Sequence, residues 1–276
     1  MKGELGNIID YLKAQREFDF TGNRPSMIQR RIGNRLSAVG CADYTEYMIY
    51  LQKQPRELNA LVDVLTINVS RFFRETLTFE YIADRVLSPT IQRKGESSDR
   101  SLRIWSAGCS TGEEPYSVAI LVNELMAKEQ CTLDLNIFGT DIDEKSLEQA
   151  QAGTYPFESI KNVKYRFLKK HFTIDEETYT LEPAIRDLVK FSFYDMLDKS
   201  THAPPVSVFG NFDIILCRNV LIYFQAAHQE IIFKKLFQAL DGNGHLVLGE
   251  AETPPLKYRK RFVKENPYCN IYRKKP

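Results

Sequence analysis

The chain has 276 residues, 43% of them hydrophobic, with 37 lysines and arginines against 36 aspartates and glutamates. That length and apolar content carry one large domain or a medium domain with a smaller partner, and a formal charge of +1 excludes a chain-wide electrostatic attraction to nucleic acid or to a membrane surface. Cys41, Cys109, Cys131, Cys217 and Cys269 are odd in number, widely spaced and without a C-x-x-C pair, which argues against both a disulfide framework and a structural zinc site. Residues 1–20 are polar and amphipathic, and no apolar run approaches the length of a membrane span, so the expectation is a cytoplasmic chain without membrane insertion and without a metal.

From Leu5 to about Leu87 apolar residues recur at helical spacing, as in Ile8, Ile9, Leu12 and again Ile28, Ile32, Leu36, Val39. This pattern predicts an N-terminal bundle of short helices over residues 1–87. A polar run over 93–100 then marks entry to an α/β domain, residues 88–276. Strands are expected at 102–106, ending at 136–140, and at 189–193, 212–217 and 245–249, with helices after the first, second and fourth. Residues 261–263 and 269–272 read as a terminal hairpin. Between the second and third strands lies an excursion, 153–187, in which Phe172-Thr173-Ile174 and Tyr179-Thr180-Leu181 flank a polar turn, as in an inserted β hairpin. Short apolar strands alternating with amphipathic helices predict a doubly wound, mainly parallel sheet whose ligand sits at the carboxyl ends of the strands.

The stretch Trp105-Ser106-Ala107-Gly108-Cys109-Ser110-Thr111-Gly112-Glu113-Glu114-Pro115-Tyr116-Ser117 follows an apolar strand and opens a helix. Gly108 and Gly112 permit left-handed backbone, and free N–H groups at a helix start ordinarily favour an anion. Here Glu113 and Glu114 stand where phosphate would go. Carboxylates repel pyrophosphate but accept from hydroxyls and ammonium groups, so the turn suits a ligand with a cationic end, such as S-adenosylmethionine. Acids in a first helical turn also simply complement the helix dipole, which is the plainer reading.

Other strand ends converge on the same rim. Thr140-Asp141-Ile142-Asp143 puts Asp141 where doubly wound nucleoside-binding domains hold a ribose, while Asp143 reads as the cap of a helix over 144–152. Tyr194-Asp195-Met196 offers a carboxylate and an apolar side chain for a purine, or an ordinary turn. Cys217-Arg218-Asn219-Val220-Leu221-Ile222-Tyr223-Phe224 adds a basic, an amide and a phenolic group. Upstream, alternation in Asn68-Val69-Ser70-Arg71-Phe72-Phe73-Arg74-Glu75 puts Asn68, Ser70 and Phe72 on one side. No G-x-G-x-x-G pattern is present, which disfavours a nicotinamide cofactor, and no broad basic stripe or Asn-Pro-Pro-Tyr tetrapeptide supports nucleic acid methylation.

On these motifs the chain resembles the chemotaxis receptor glutamate O-methyltransferases, the CheR family. They are Asn68-x-Ser70-x-Phe72-Phe73-Arg74-Glu75, the Ser110-Thr111-Gly112-Glu113-Glu114-Pro115-Tyr116 turn, Thr140-Asp141-Ile142-Asp143 and Cys217-Arg218-Asn219-Val220 with Ile222-Tyr223-Phe224. The resemblance implies a class I methyltransferase, Rossmann-like sheet. It implies S-adenosylmethionine contacts from Asn68, Ser70, Arg74, Glu114, Asp141, Asp195, Met196, Arg218 and Asn219, with Glu114 favoured over Glu113. Arg74 and Tyr223 would lie nearest the transferred methyl. Where the family often carries Thr, this chain has Ser70, which keeps the hydroxyl.

The resemblance further implies methyl ester formation on chemoreceptor glutamates, with S-adenosylhomocysteine as product and a monomeric enzyme. A glutamate-rich receptor segment calls for basic residues, and Arg31 and Arg35 lie one helical turn apart beside the Ile28, Ile32, Leu36 stripe; a solvated helix face would look the same. Some relatives use the inserted hairpin to hold a receptor peptide by strand addition. The short, glycine-free turn Asp175-Glu176-Glu177-Thr178 favours a peptide-independent enzyme here.

Overall fold

The computed structural model describes residues 3–16, 20–66, 70–198, 200–208 and 210–276. Contacts divide the chain into two units, one of residues 1–68 with Tyr223–Gln229, the other of Val69–Ile222 with Glu230–Pro276.

In the first unit the helical periodicity forms helices Glu4–Arg16, Pro25–Ala38, Tyr44–Lys53 and Pro55–Thr66. Their apolar faces bury Ile8, Leu12, Ile28, Ile32, Tyr47, Leu51, Leu61 and Leu65 on one another. Local chemistry sets the ends. Pro25 and Pro55 begin their helices, where a missing N–H costs nothing. Asp43 accepts the N–H of Glu46 at 2.8 Å while the Glu46 carboxylate accepts that of Ala42 at 2.7 Å, a reciprocal cap. The distant segment Tyr223–Gln229 joins this unit through its backbone: Arg24 N–H donates to Tyr223 O, and Gln225 N–H to Gly22 O, both at 2.9 Å.

The division between units falls at Asn68/Val69, well before the residue 87 at which the helical periodicity was expected to end. Residues 76–95 are helical, with one π-helical turn at Ile82–Leu87. Yet Phe79, Ile82, Val86, Leu87 and Ile91 are buried in one cluster with Leu102, Ile104 and Ile214 of the sheet. Helix-forming sequence and domain membership are separate properties; the apolar stripe is claimed by whichever core covers it.

The second unit contains strands β1 (Ser101–Ala107), β2 (Asp134–Asp141), β3 (Thr154–Pro156), β4 (Phe172–Asp175), β5 (Thr178–Leu181), β6 (Val189–Phe193), β7 (Phe212–Cys217), β8 (Leu240–Leu248), β9 (Phe262–Lys264) and β10 (Ile271–Lys274). The main sheet has the order β6-β2-β1-β7-β8-β10-β9. Pairs β6/β2, β2/β1, β1/β7 and β7/β8 are parallel, and β8/β10/β9 antiparallel, which makes the terminal hairpin expected from the sequence. Helices Glu113–Lys128, Glu144–Ala152 and Ala226–Ala239 follow β1, β2 and β7. Every residue of β7 is buried, as a central strand covered on both faces requires. Strand order reverses between β1 and β7, so the crevice lies beyond their carboxyl ends.

The inserted segment is larger than the expected hairpin. Tyr155 pairs with Tyr179, so β3 joins β5 and β4 in a three-stranded antiparallel sheet, ordered β3-β5-β4. A three-residue strand has too little alternation to register in the sequence. Among the described residues no helix is long and apolar enough to cross a membrane.

Candidate active site

The turn after β1 is held from below by β2. Gly108 and Cys109 N–H groups both donate to Thr140 O, at 2.8 and 2.9 Å. Gly108 has φ +75°, and a Cβ there would stand 2.5 Å from a methyl of Val220. Gly112 ends the turn at φ +90° and starts the helix Glu113–Lys128; its Cβ would meet Ala150 at 2.8 Å. The two glycines are therefore demanded by backbone conformation and by close approach together.

The adjacent carboxylates of this turn face different partners. Glu113 is 2% exposed and accepts from Thr111 Oγ1 at 2.7 Å and from Ser159 Oγ, on the inserted segment, at 3.2 Å. Glu114 accepts from Ser106 Oγ at 2.7 Å and from Arg218 Nη1 at 3.0 Å. Burial lifts the Glu114 carboxyl above its ordinary range, opposed by the charge of Arg218 and the Ser106 hydroxyl.

Arg218, whose side chain is 1% exposed, joins this turn to the loop before the helix Thr76–Tyr81. Its Nη2 lies 2.9 Å from Glu75 Oε2 and donates to Arg74 O at 2.7 Å; the guanidinium carbon sits 5.0 Å from the Phe79 ring centroid. Burial works against the guanidinium's charge, but Glu114 and Glu75 outweigh it and raise its pKa. The loop is conformationally unusual, since Phe73 and Glu75 have φ of +52° and +61° although neither is glycine. Arg218, expected to contact cofactor, meets Glu114, Glu75 and the Arg74 carbonyl through its Nη groups, while its buried Nε has no hydrogen-bond partner among the described residues. It fixes the loop that presents Arg74.

On the other flank, Asp141 accepts Ser110 N–H at 2.7 Å and Asp143 N–H at 3.1 Å. Burial raises its pKa, opposed by those backbone donors. Each oxygen retains a lone pair for a ligand hydroxyl. The Ser110 hydroxyl is buried and has no hydrogen-bond partner among the described residues. Asp143 accepts from Lys145 N–H and Ser146 Oγ, the helix cap expected of it. After β6, Asp195 accepts Leu197 N–H at 2.7 Å in a turn beside buried Met196. After β7, Asn219 has φ +60° and donates its N–H to Glu252 Oε2 at 2.9 Å.

The structure thus assembles Arg74, Glu114, Asp141, Asp195, Met196, Arg218 and Asn219 in one unit, on the ends of β1, β2, β6 and β7 and the loop before Thr76. Ser70 belongs to the same unit. Asn68 lies outside the described residues. Tyr223 falls in the helical unit's return segment, with its carbonyl bound to Arg24 N–H.

Arg31 and Arg35 are engaged internally. Arg35 makes a two-pronged ion pair with buried Glu57, which also accepts from Tyr47 Oη at 2.7 Å; Arg31 Nη1 donates to Val64 O. Neither is a free surface charge. Sequence reasoning placed no role on Glu252; two carboxylates within Gly249-Glu250-Ala251-Glu252, directly after β8, were its one available signal.

Glu114 and Asp141, with a Ser110 hydroxyl unpartnered among the described residues, fit S-adenosylmethionine, which brings ribose hydroxyls to hydrogen-bond and an ammonium and a sulfonium to meet carboxylates. Residues 68–269 match the family model described as "CheR methyltransferase, SAM binding domain", and residues 3–66 the model described as "CheR methyltransferase, all-alpha domain". A chemotaxis protein methyltransferase 2 of Vibrio cholerae is 30% identical over 96% of this chain and 92% of its own length. A chemotaxis protein methyltransferase of Borreliella burgdorferi is 29% identical over 91% and 88%. An uncharacterised 104.1 kDa protein of Rhodobacter capsulatus is 33% identical over 90% of this chain, which spans only 25% of that protein. With residues 3–66 and 68–269 both matched, the chain belongs to the CheR family of S-adenosylmethionine-dependent methyltransferases.

Proposed function

We propose that the protein esterifies glutamate side chains on the cytoplasmic part of chemoreceptors, acting as a cytoplasmic monomer in chemotactic adaptation. The bound cofactor supplies an electrophilic methyl on a sulfonium. A glutamate oxygen forms the new C–O bond as the C–S bond breaks, and the electron pair stays on sulfur, giving S-adenosylhomocysteine. The acceptor, with an ordinary pKa of about 4.3, is already ionised at neutral pH, so no strong general base is needed.

The protein's own work is then alignment and exclusion of water, which can supply on the order of 7–11 kcal/mol. Asp141 and Ser110 hold the ribose, Asp195 and Met196 the adenine, and Ser70, Glu114 and Asn219 the amino-acid end; Asn68 is a further cofactor contact that the family resemblance implies. Arg74 and Tyr223 orient the acceptor carboxylate. The observation that carries the reading is the buried Glu114–Arg218–Glu75 array, which locks the Arg74 loop to the cofactor turn through 3.0 and 2.9 Å ion pairs. Arg31 and Arg35 serve the receptor indirectly, by bracing the helix Pro25–Ala38 on which exposed Arg30 also stands.

The test is transfer of labelled methyl from S-adenosylmethionine to a chemoreceptor cytoplasmic domain, followed by mild base. Base-labile label on the receptor is the expected result. Cofactor binding with several such receptors left unlabelled would refute the acceptor.

A further inference from the structure

Glu252 is 3% exposed and carries three backbone hydrogen bonds that no part of the catalytic reading uses. Its Oε2 accepts from Asn219 N–H at 2.9 Å and from Gly249 N–H at 2.8 Å, and its Oε1 from Ile222 N–H at 3.2 Å. One carboxylate therefore clasps the ends of β7 and β8. The clasp is itself anchored: Asn270 Nδ2, just before β10, lies 2.9 Å from Gly249 O, 3.0 Å from Glu250 O and 2.8 Å from Glu252 O.

What it clasps matters. Asn219 holds φ +60°, a conformation that asparagine adopts only at some cost, and Ile222 lies within the single helical turn Leu221–Tyr223. A side chain at Gly249 would place its Cβ 2.8 Å from both Asn219 N and Asn219 Nδ2, so the two strand ends approach as closely as glycine allows.

We propose that Glu252 is the positioning residue of this site: by accepting the N–H groups of Asn219 and Ile222 it holds Asn219 in the left-handed conformation that presents its side chain to S-adenosylmethionine. This rests on the proposed cofactor contact of Asn219. A carboxylate is required because the three partners are all donors. In Glu252→Gln, either orientation of the amide turns an NH2 toward at least one of them, orphaning a buried N–H.

The experiment is a double-mutant cycle on the full chain, reading the Kd of S-adenosylhomocysteine by calorimetry with Glu252→Gln, Asn219→Ala and both together. Releasing Asn219 from its held conformation in Glu252→Gln is expected to raise Kd about tenfold, with little further loss when added to Asn219→Ala. In turnover it raises the KM for cofactor and leaves that for receptor unchanged, which a general loss of stability would not do. If Glu252→Gln binds like the parent while Asn219→Ala is weakened, or if the two losses simply multiply, the positioning role is overturned and the site reading stands. If Asn219→Ala binds like the parent, the site reading falls and the positioning role with it. Should Glu252→Gln fail to fold, Glu252→Asp, which keeps the charge but is one methylene too short to span both strands, takes its place in the cycle with the same expected result.

Discussion

Replacing Arg218 with methionine removes the cation that pairs with both Glu75 and Glu114 and keeps a side chain of similar length. Glu75 and Glu114 side chains are 12% and 13% exposed, and each pairs with Arg218 at 2.9 and 3.0 Å. Breaking a buried ion pair by deleting one partner costs about 3–5 kcal/mol, because the remaining charge is stranded. Here two charges are stranded next to each other, which places the expectation at the upper end of that range.

The loss has a definite pH dependence. In the parent, burial already raises the Glu114 carboxyl. Without Arg218 it rises further, so between the unfolded and folded pKa the folded state binds more protons than the unfolded state. Stability of the variant then falls as pH rises through that window, and the deficit is complete above the folded pKa. Below the unfolded value of about 4.3 the Glu114 carboxyl is neutral in either state and its part of the electrostatic deficit vanishes.

The assay is urea unfolding of parent and variant from pH 4 to 8. It is followed by the fluorescence of Trp105, the only tryptophan, which is fully buried in β1 with its Nε1 donating to Thr140 Oγ1. The observable is the difference between the two proteins, which cancels acid effects common to both. A difference that is constant across that range would refute the argument and assign the loss to packing.

Two further outcomes follow from particular contacts. Gly108→Ala forces a Cβ to 2.5 Å from Val220 at φ +75°, so it should weaken S-adenosylhomocysteine binding about tenfold or more and cost about 1–3 kcal/mol in Trp105-monitored unfolding; unchanged binding by calorimetry would mean the turn adapts. Arg35→Ala leaves Glu57, 6% exposed, with the Tyr47 hydroxyl as its remaining side-chain donor among the described residues, and should lower protection of the helices Pro25–Ala38 and Pro55–Thr66 by about 1–3 kcal/mol in hydrogen exchange. Undiminished protection there would return Arg35 to the role of a free surface charge.

Much of the architecture was legible because it is written locally. Apolar spacing in Ile28, Ile32 and Leu36 specifies a helix wherever that helix packs, and the glycines at 108 and 112 announce a turn that needs positive φ. Asp143 was readable as a cap because its partners, Lys145 and Ser146, are two and three residues away. By contrast, the same helical pattern over 76–95 misplaced the domain boundary, since periodicity reports a stripe and not the core that covers it.

What the sequence by itself determined is the alternation of strands and helices, the polar strand ends that converge on one rim, and the motifs that mark a methyltransferase. These depend on periods of two and 3.6 and on residues within a turn of each other. Tertiary structure alone decided which charges are spent inside. Arg218 meets Glu114 from 104 residues away and the Arg74 carbonyl from 144; Glu252 reaches Asn219 across 33; Arg35 finds Glu57 across 22. Such partnerships follow from strand order and helix packing, so a buried arginine brace and a solvated arginine face share one sequence pattern. Only the burial that makes an unpaired charge costly tells them apart.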